Sequence, residues 1–213
     1  MPLLTWQDLK PGDLLFQDLD CGELCEAIER VTPGWQQFEV THVGIVVLEA
    51  AGASGELQVL EAIGTEVHLT PMQTFLGRTS DKKGNPKVFV GRLRESVVLS
   101  PWIDTYARGY LGRPYDNVFA PGDDALYCSE LVSLAYNAAN AHIHGPDARP
   151  LFPPVAMTFT DPSSGQIFPP WQRYYDDLKL PVPEGVAGSN PGALSLSPSL
   201  RIIGKMGQPD RQR

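Results

Sequence analysis

The chain has 213 residues, of which 42% are hydrophobic and 20 are proline. Its net charge of −8, from 17 basic and 25 acidic residues, argues against nucleic acid or an anionic membrane surface as a partner, because binding to either needs clustered Lys and Arg. No apolar stretch reaches the roughly 20 residues that cross a bilayer. Length and composition predict one compact domain rich in turns.

The first half of the chain predicts one helix followed by strands. Residues 21–31 place apolar side chains at helical spacing, and Pro33-Gly34 ends that helix. Alternating or β-branched residues predict strands at 13–17, 41–50, 57–64, 66–72 and 87–93, with the turn "AGASGE" (51–56) before the third. This order indicates an antiparallel meander.

The second half predicts helices and then irregular structure. Ser100 and Pro101 are a good N-cap and first residue for a helix that ends near Leu111, and a second helix carries Cys128. Prolines and aromatic residues at 145–183 predict an ordered loop around the domain. We expect residues 1–183 to form a single domain and 184–213 a mobile tail, although 199–206 could add a short edge strand.

Cysteine content and the N-terminus predict the compartment. Three cysteines, at positions 21, 25 and 128, are too few and odd in number for a disulfide framework, which favours a reducing compartment. A zinc site at Cys21 and Cys25 is not expected, because the chain has no CxxC pair that could complete it. We therefore expect these two cysteines to be half-buried packing residues. The opening "MPLLTWQDLKPGDLLF" predicts no signal peptide. We expect a cytoplasmic protein, or a periplasmic one if a presequence has been removed.

Cys128, in "ALYCSELVSLAY" (125–136), stands at the predicted start of an amphipathic helix. Free N–H groups and the positive end of the dipole lie there, so a thiolate would be stabilised. Cys128 is therefore a candidate nucleophile. A buried, inert thiol is the alternative.

His42 and Glu61 are candidates to assist that nucleophile. His42 begins the strand "THVGIVV", and Glu61 is a carboxylate inside the apolar strand "LQVLEAIG", where it needs a partner. If the two strands pair as antiparallel neighbours, Glu61 can orient the imidazole as the third member of a triad does. The alternatives are a structural histidine and a water-facing glutamate.

The remaining histidines have weaker patterns. His68 alternates with Val67 and Leu69 and is expected to face solvent. His142 and His144 lie in the predicted polar loop "NAHIHGP", where their spacing could suit a metal, but no third ligand accompanies them. We expect neither metal nor cofactor.

The stretch "LGRPYDNVFAPGDDALYCSELVSLAY" resembles the nucleophile region of the NlpC-type papain-like superfamily. The matching residues are Gly112, Pro114, Tyr115, Cys128, Ser129, Leu131, Val132 and Tyr136. "THVGIVV" precedes the cysteine here, an order that resembles the circularly permuted YiiX/YebB-like branch. "KPGDLLFQ" is similar to the opening strand of that branch. "LEAIGTEVHLTPMQTF" is similar to the strand that carries the third residue of its catalytic triad. Tyr127 and Glu130 replace the Asp and Gly that the unpermuted enzymes have at these positions. The cell-wall peptide specificity of the unpermuted enzymes is therefore not carried over to this chain.

The resemblance implies an α+β fold, a circularly permuted papain-like (NlpC-type) fold with an antiparallel sheet or partial barrel against helices. It implies Cys128 as nucleophile, His42 as base and Glu61 as its orienter. Tyr115 and the Cys128 N–H would bind the oxyanion and substrate. The expected reaction is cleavage of an amide, possibly a γ-glutamyl one, through a thioester.

Two alternatives stay open. One is a lipid ester or amide hydrolase or acyltransferase, because permuted relatives include acyltransferases of that kind. The other is a catalytically silent binding module on the same fold. The expected partner is a small peptide or lipid-like acyl substrate, without stable membrane insertion.

Overall fold

A six-stranded antiparallel sheet organises the molecule. The computed structural model describes residues 1–49, 55–94, 96–122 and 124–211, so the predicted turn at 51–56 falls mostly outside the described residues. The strands are β1 (Asp13–Gln17), β2 (His42–Leu48), β3 (Leu57–Ile63), β4 (Glu66–Pro71), β5 (Val88–Leu93), β6 (Val155–Ala156), β7 (Ala187–Gly188) and β8 (Leu200–Lys205).

The order of strands in the main sheet is β4-β3-β2-β1-β5-β8, and β6 pairs separately with β7. The meander prediction is confirmed for β2, β3 and β4, which are consecutive antiparallel neighbours. β5 departs from it, because it pairs with β1 instead of β4. The chain therefore crosses from one side of β1 to the other between β4 and β5.

The helices are α1 (Glu23–Val31), α2 (Met72–Leu76), α3 (Ser96–Arg108), α4 (Cys128–His144), α5 (Pro169–Leu178) and α6 (Pro191–Ser195). α3 begins five residues before the predicted first residue, Pro101, and ends three before the predicted end. Ser100 is not its cap, because its hydroxyl donates to the Pro11 carbonyl oxygen at 2.7 Å. In the described parts of the chain, no helix combines the length and apolar character needed to cross a membrane.

The sheet is buried on both faces, which explains why β1 and β2 read as nearly continuous apolar runs. Leu14 and Ile45 lie on one face, in the main core with Leu131 and Val132 of α4. Val46 and Val59 lie on the other face, with Phe75 of α2. The repeat of buried residues along α4 is the one expected of a helix with a single apolar face.

The C-terminal part of the chain is ordered where it is described, which corrects the prediction of a mobile tail from residue 184. β8 extends the sheet beside β5, with Leu200 opposite Leu93. It is the short edge strand that residues 199–206 were expected to add if the tail were ordered. The proline- and aromatic-rich segment contains α5, whose Trp171 and Tyr175 are buried against α1. The tail was predicted to be mobile because it has few aromatic residues. A few apolar residues such as Leu200 are nevertheless enough to hold an edge strand in place.

The structure also overturns the prediction that Cys21 and Cys25 are unpaired. They form a disulfide, with their Cα atoms 5.3 Å apart. Cys21 precedes the helix, which begins at Glu23, and Gly22 turns the chain there with a φ of +81°. The odd count of cysteines misled the prediction because Cys128 is the single free cysteine.

Candidate active site

Cys128 is the first residue of α4 and is buried, with 6% of its surface exposed. Tyr127 precedes it with extended backbone and supplies no side-chain cap. The N–H groups of the first turn therefore have no side-chain acceptor at the cap, and the positive end of the helix can stabilise a negative charge at Cys128. This is the placement that the sequence predicts for Cys128.

His42 is the first residue of β2 and is 4% exposed. Its Nε2 lies 2.6 Å from Oε2 of Glu61. The side chain of Cys128 also interacts with the imidazole and raises its pKa. Because Nε2 faces Glu61, Nδ1 is the nitrogen left for the sulfur, so the ring links the carboxylate to the thiol.

Glu61 is fully buried in β3, and strand geometry brings it to His42. Gly44 lies two residues beyond His42 on the same face, and a Cβ on Gly44 would come within 2.4 Å of Val59 Cγ1 and 3.5 Å of Glu61 Cβ. The missing side chain leaves room for Val59 and for the Phe75 ring, whose Cε2 would lie 3.2 Å from that Cβ, so these residues can pack beside Glu61. This explains the glycine inside an otherwise apolar strand.

Two residues that the sequence analysis missed hold the carboxylate. Arg78 donates from Nη1 to Oε2 of Glu61 at 2.7 Å and from Nη2 to Oε1 at 2.5 Å, and the Thr70 hydroxyl donates to Oε1. Thr70 shares a face of β4 with His68, which lies opposite Glu61, so strand alternation could have found it. No local pattern marks Arg78, which follows α2 in an irregular segment.

The charges of this cluster are coupled. Burial raises the pKa of Glu61, but hydrogen bonds from Arg78 and His42 outweigh it and lower that pKa to about 2. Burial likewise opposes the charge on His42, yet the hydrogen bonds with Cys128 and Glu61 raise the pKa of His42 to about 9. At neutral pH these shifts favour a carboxylate on Glu61 beside an imidazolium on His42.

Tyr115 lies in the wall of the same cleft as Cys128. Its backbone N–H donates to the Thr65 carbonyl oxygen at 2.8 Å, which ties the segment to the turn between β3 and β4. Gly112 bends this segment with a φ of +79°, a conformation that favours glycine. Burial and the nearby Cys128 raise the pKa of Tyr115, so its hydroxyl keeps its proton.

The other histidines lie elsewhere. His68 is half-buried on β4, with Nδ1 3.2 Å from the Glu66 carbonyl oxygen. His142 and His144 belong to the last turn of α4 instead of the predicted loop. The ring of His142 lies 3.6 Å from that of Trp102, and residues two apart on a helix do not face each other, so these two histidines do not form a joint metal site.

Comparison with known proteins finds a family model and relatives that match this chain. Residues 8–204 match the family model described as a permuted papain-like amidase enzyme, YaeF/YiiX, C92 family. The uncharacterized protein YiiX of Escherichia coli (strain K12) is 30% identical over 139 residues, which are 65% of this chain and 62% of that protein. The match thus spans less than two thirds of that relative.

A solved structure shows the same fold. The crystal structure of metalloprotein yiiX from Escherichia coli O157:H7 superposes with a TM-score of 0.71 at 24% identity, and the match covers 93% of this chain and 98% of that one. The predicted fold, a permuted papain-like arrangement of α+β type, is confirmed. Because the family model spans nearly the whole chain, from strand β1 with its flanking residues to strand β8, the chain belongs to the permuted papain-like amidase family.

Proposed function

We propose that this chain cleaves an amide bond through a thioester formed on Cys128. The observation that carries the proposal is the buried imidazole of His42, which is hydrogen-bonded to Glu61 and interacts with the side chain of Cys128. Nucleophilic catalysis by cysteine needs this set: a thiol, a base within reach and a group that orients the base. A binding module without activity has no need of a buried, charged pair beside a thiol, because burying it is costly.

In the first step the thiolate of Cys128 attacks the carbonyl carbon, and the carbonyl oxygen becomes an oxyanion. The N–H of Cys128 at the start of α4 and the hydroxyl of Tyr115 are the proposed donors to that oxyanion. The oxyanion then collapses and the C–N bond breaks. The Nδ1 proton of His42 passes to the nitrogen as it leaves, which releases an amine and leaves the acyl group on the sulfur.

In the second step neutral His42 accepts a proton from water as the oxygen attacks the thioester. Collapse of the second oxyanion breaks the C–S bond, releases a carboxylic acid and restores the thiolate beside the imidazolium. A different nucleophile in place of water would make the reaction a transfer. Glu61 stays ionised throughout, held by Arg78 and Thr70, and keeps Nδ1 of His42 aimed at the sulfur.

The name of the yiiX structure implies a metal ion in that protein. Among the described residues one group of carboxylates, from Asp18, Glu39 and Asp210, is close enough to share an ion. Lys87 already lies among them, with Nζ 2.9 Å from Asp210 Oδ2 and 3.5 Å from Asp18 Oδ2. An ammonium in this position competes with a metal ion, so the group does not fit one and we assign no step to a metal.

The disulfide bears on the proposed compartment. Disulfides such as Cys21–Cys25 persist in oxidising compartments and are rare in the cytosol. This disulfide favours a periplasmic location over a cytoplasmic one.

The proposal is tested by intact-mass analysis after exposure to a panel of peptide amides and lipid esters. The expected result is an acyl adduct on Cys128 in the wild type and none in Cys128→Ala, with amide hydrolysis lost in that variant. Iodoacetamide labelling at pH 6 gives a second readout: Cys128 should react rapidly in the wild type and slowly in His42→Ala. Hydrolysis that survives Cys128→Ala would overturn the mechanism.

A further inference from the structure

Gln17 is the last residue of β1, and none of its surface is exposed. It lies directly opposite His42 in the pairing of β1 with β2, and opposite residues of paired strands point to the same face of the sheet. A glutamine is mostly an exposed residue, because its amide carries two polar groups. The contacts of this buried amide therefore need an explanation.

The amide nitrogen of Gln17 holds the end of α2. Nε2 donates to the Phe75 carbonyl oxygen at 2.7 Å, across 58 residues of sequence. The backbone N–H of Arg78 reaches the same oxygen at the longer distance of 3.4 Å. α2 has only five residues, too few for its own hydrogen bonds to keep it in place. The bond from Gln17 therefore fixes the point from which the chain continues to Arg78.

The residue after Gln17 holds the same segment from its other end. The Thr79 hydroxyl donates to the Asp18 carbonyl oxygen at 2.7 Å. Arg78 therefore lies between two attachments to the end of β1. Its guanidinium leaves this segment to make the paired hydrogen bonds with Glu61. Such a fork of two bonds depends on geometry as well as charge, so it needs a well-placed arginine.

The amide oxygen of Gln17 indicates that packing alone does not explain this residue. Oε1 is buried and has no donor among the residues that the structure describes. A buried carbonyl oxygen that the protein leaves without a donor is costly to the fold, whereas an apolar side chain of similar length avoids that cost. The glutamine differs from such a side chain in supplying the donor for Phe75.

We propose that Gln17 is a positioning residue for the proposed reaction, acting through the Phe75 carbonyl oxygen on Arg78. With that oxygen fixed, both guanidinium bonds to Glu61 can form. Glu61 in turn orients His42. The inference rests on the proposed function, which needs this ring beside the nucleophile. Gln17 acts on the reaction only through these residues.

The first test compares iodoacetamide labelling of Cys128 at pH 6 in the wild type and in Gln17→Met. Methionine keeps the length of the side chain but removes both the donor and the oxygen without a partner. We expect the labelling rate to fall about fivefold, the factor that one ordinary hydrogen bond contributes, while the midpoint of urea unfolding stays at the wild-type value. A labelling rate equal to that of the wild type would overturn the inference.

Gln58→Met is the matched control for this substitution. Gln58 is half-buried on β3. It lies three residues before Glu61, so strand alternation places the two side chains on opposite faces of the sheet. The labelling rate of Cys128 in this variant should equal that of the wild type.

A double-mutant cycle shows whether the effect of Gln17 passes through Arg78. Arg78→Lys keeps a cation for Glu61 but loses the forked hydrogen bonding that requires close placement. In this background Gln17→Met should change the labelling rate of Cys128 by less than about twofold, because residues that act as a unit are not additive. An equal loss in both backgrounds would mean that Gln17 acts by general packing, and the inference would be wrong.

Gln17→Leu takes the place of Gln17→Met in the same cycle if the methionine variant does not fold, and the same outcomes decide. Labelling does not depend on turnover, so the two proposals fail separately. If no amide acylates Cys128 but the cycle shows the coupling, the proposed function fails while the placement of Arg78 by Gln17 stands. If amides are hydrolysed and Gln17→Met labels like the wild type, only this inference is wrong.

Discussion

At the scale of single residues, the site depends on how Glu61 keeps its charge while fully buried. Its two oxygens accept from His42, Thr70 and twice from Arg78, so nearly every lone pair has a donor. Without these donors a buried carboxylate would take up a proton. Cys128 and the ionised carboxylate together favour the charged form of His42, which the proposed mechanism uses.

Glu61→Gln tests this dependence. The amide keeps the shape of the side chain but removes its charge, so the pKa of His42 should fall from about 9 toward its ordinary value. We expect amidase activity to fall roughly 10²-fold or more, the scale of general acid–base catalysis. The rate of iodoacetamide labelling of Cys128, followed from pH 5 to pH 9, should be lower than in the wild type. A labelling profile like that of the wild type would show that Glu61 does not set the charge of the ring.

Arg78→Met tests the guanidinium through stability. Arg78 and its neighbours lower the pKa of Glu61 in the folded chain to about 2, below the ordinary value of 4.5. Ionised Glu61 therefore stabilises the fold above pH 4.5, and this contribution is lost as the pH falls toward 2. We expect the variant to lose about 3 kcal/mol at pH 7, since one partner of a buried ion pair is removed.

The pH dependence separates this effect from a simple packing loss. The difference in urea unfolding free energy between wild type and Arg78→Met should shrink as the pH falls from 5 to 2, because Glu61 takes up its proton in both. Arg201→Met, at an exposed position on β8, serves as the control and should change little at any pH. A difference that stays constant down to pH 2 would contradict the role assigned to Arg78.

At the scale of secondary-structure elements, most of the site could be predicted because its residues begin or interrupt regular elements. Cys128 starts a helix, His42 starts a strand, and Glu61 interrupts the apolar face of the next strand, each visible from local periodicity. Arg78 was not predictable, since its partner lies 17 residues away and the segment between them has no repeat. Pairing of Cys21 with Cys25 depends on a turn at Gly22 that residue counts do not reveal.

The Cys21–Cys25 disulfide determines how many thiols of the unfolded chain can react. Unfolded in urea without reductant, the wild type should take up one iodoacetamide label per chain, because only Cys128 is free. After reduction it should take up three, since Cys21 and Cys25 are released. The matched control Cys128→Ala should give none and then two. Three labels without reductant would show that the cysteines are unpaired.

At the scale of the whole molecule, the site is assembled from segments spread along the chain. The proposed catalytic residues come from β2, β3 and α4, and the cleft beside them is closed by α1 and by residues around β6 and in α5. Permutation changes the order of these segments without changing their geometry. The C-terminal segment belongs to this assembly, because β8 covers β5 and contributes Leu200 to the main core.

The contribution of β8 can be measured with two neighbouring substitutions. Leu200 is 5% exposed within the main core, so Leu200→Ala should lower the unfolding free energy by about 2–4 kcal/mol, as buried leucine truncations do. Arg201 is exposed on the same strand, and Arg201→Ala should change it by less than about 0.5 kcal/mol. Urea unfolding of both variants gives the comparison. If the tail moved freely, neither substitution would change the unfolding free energy. In a paired edge strand the side chains alternate between core and solvent. The losses in unfolding free energy at these two neighbouring positions should therefore differ severalfold.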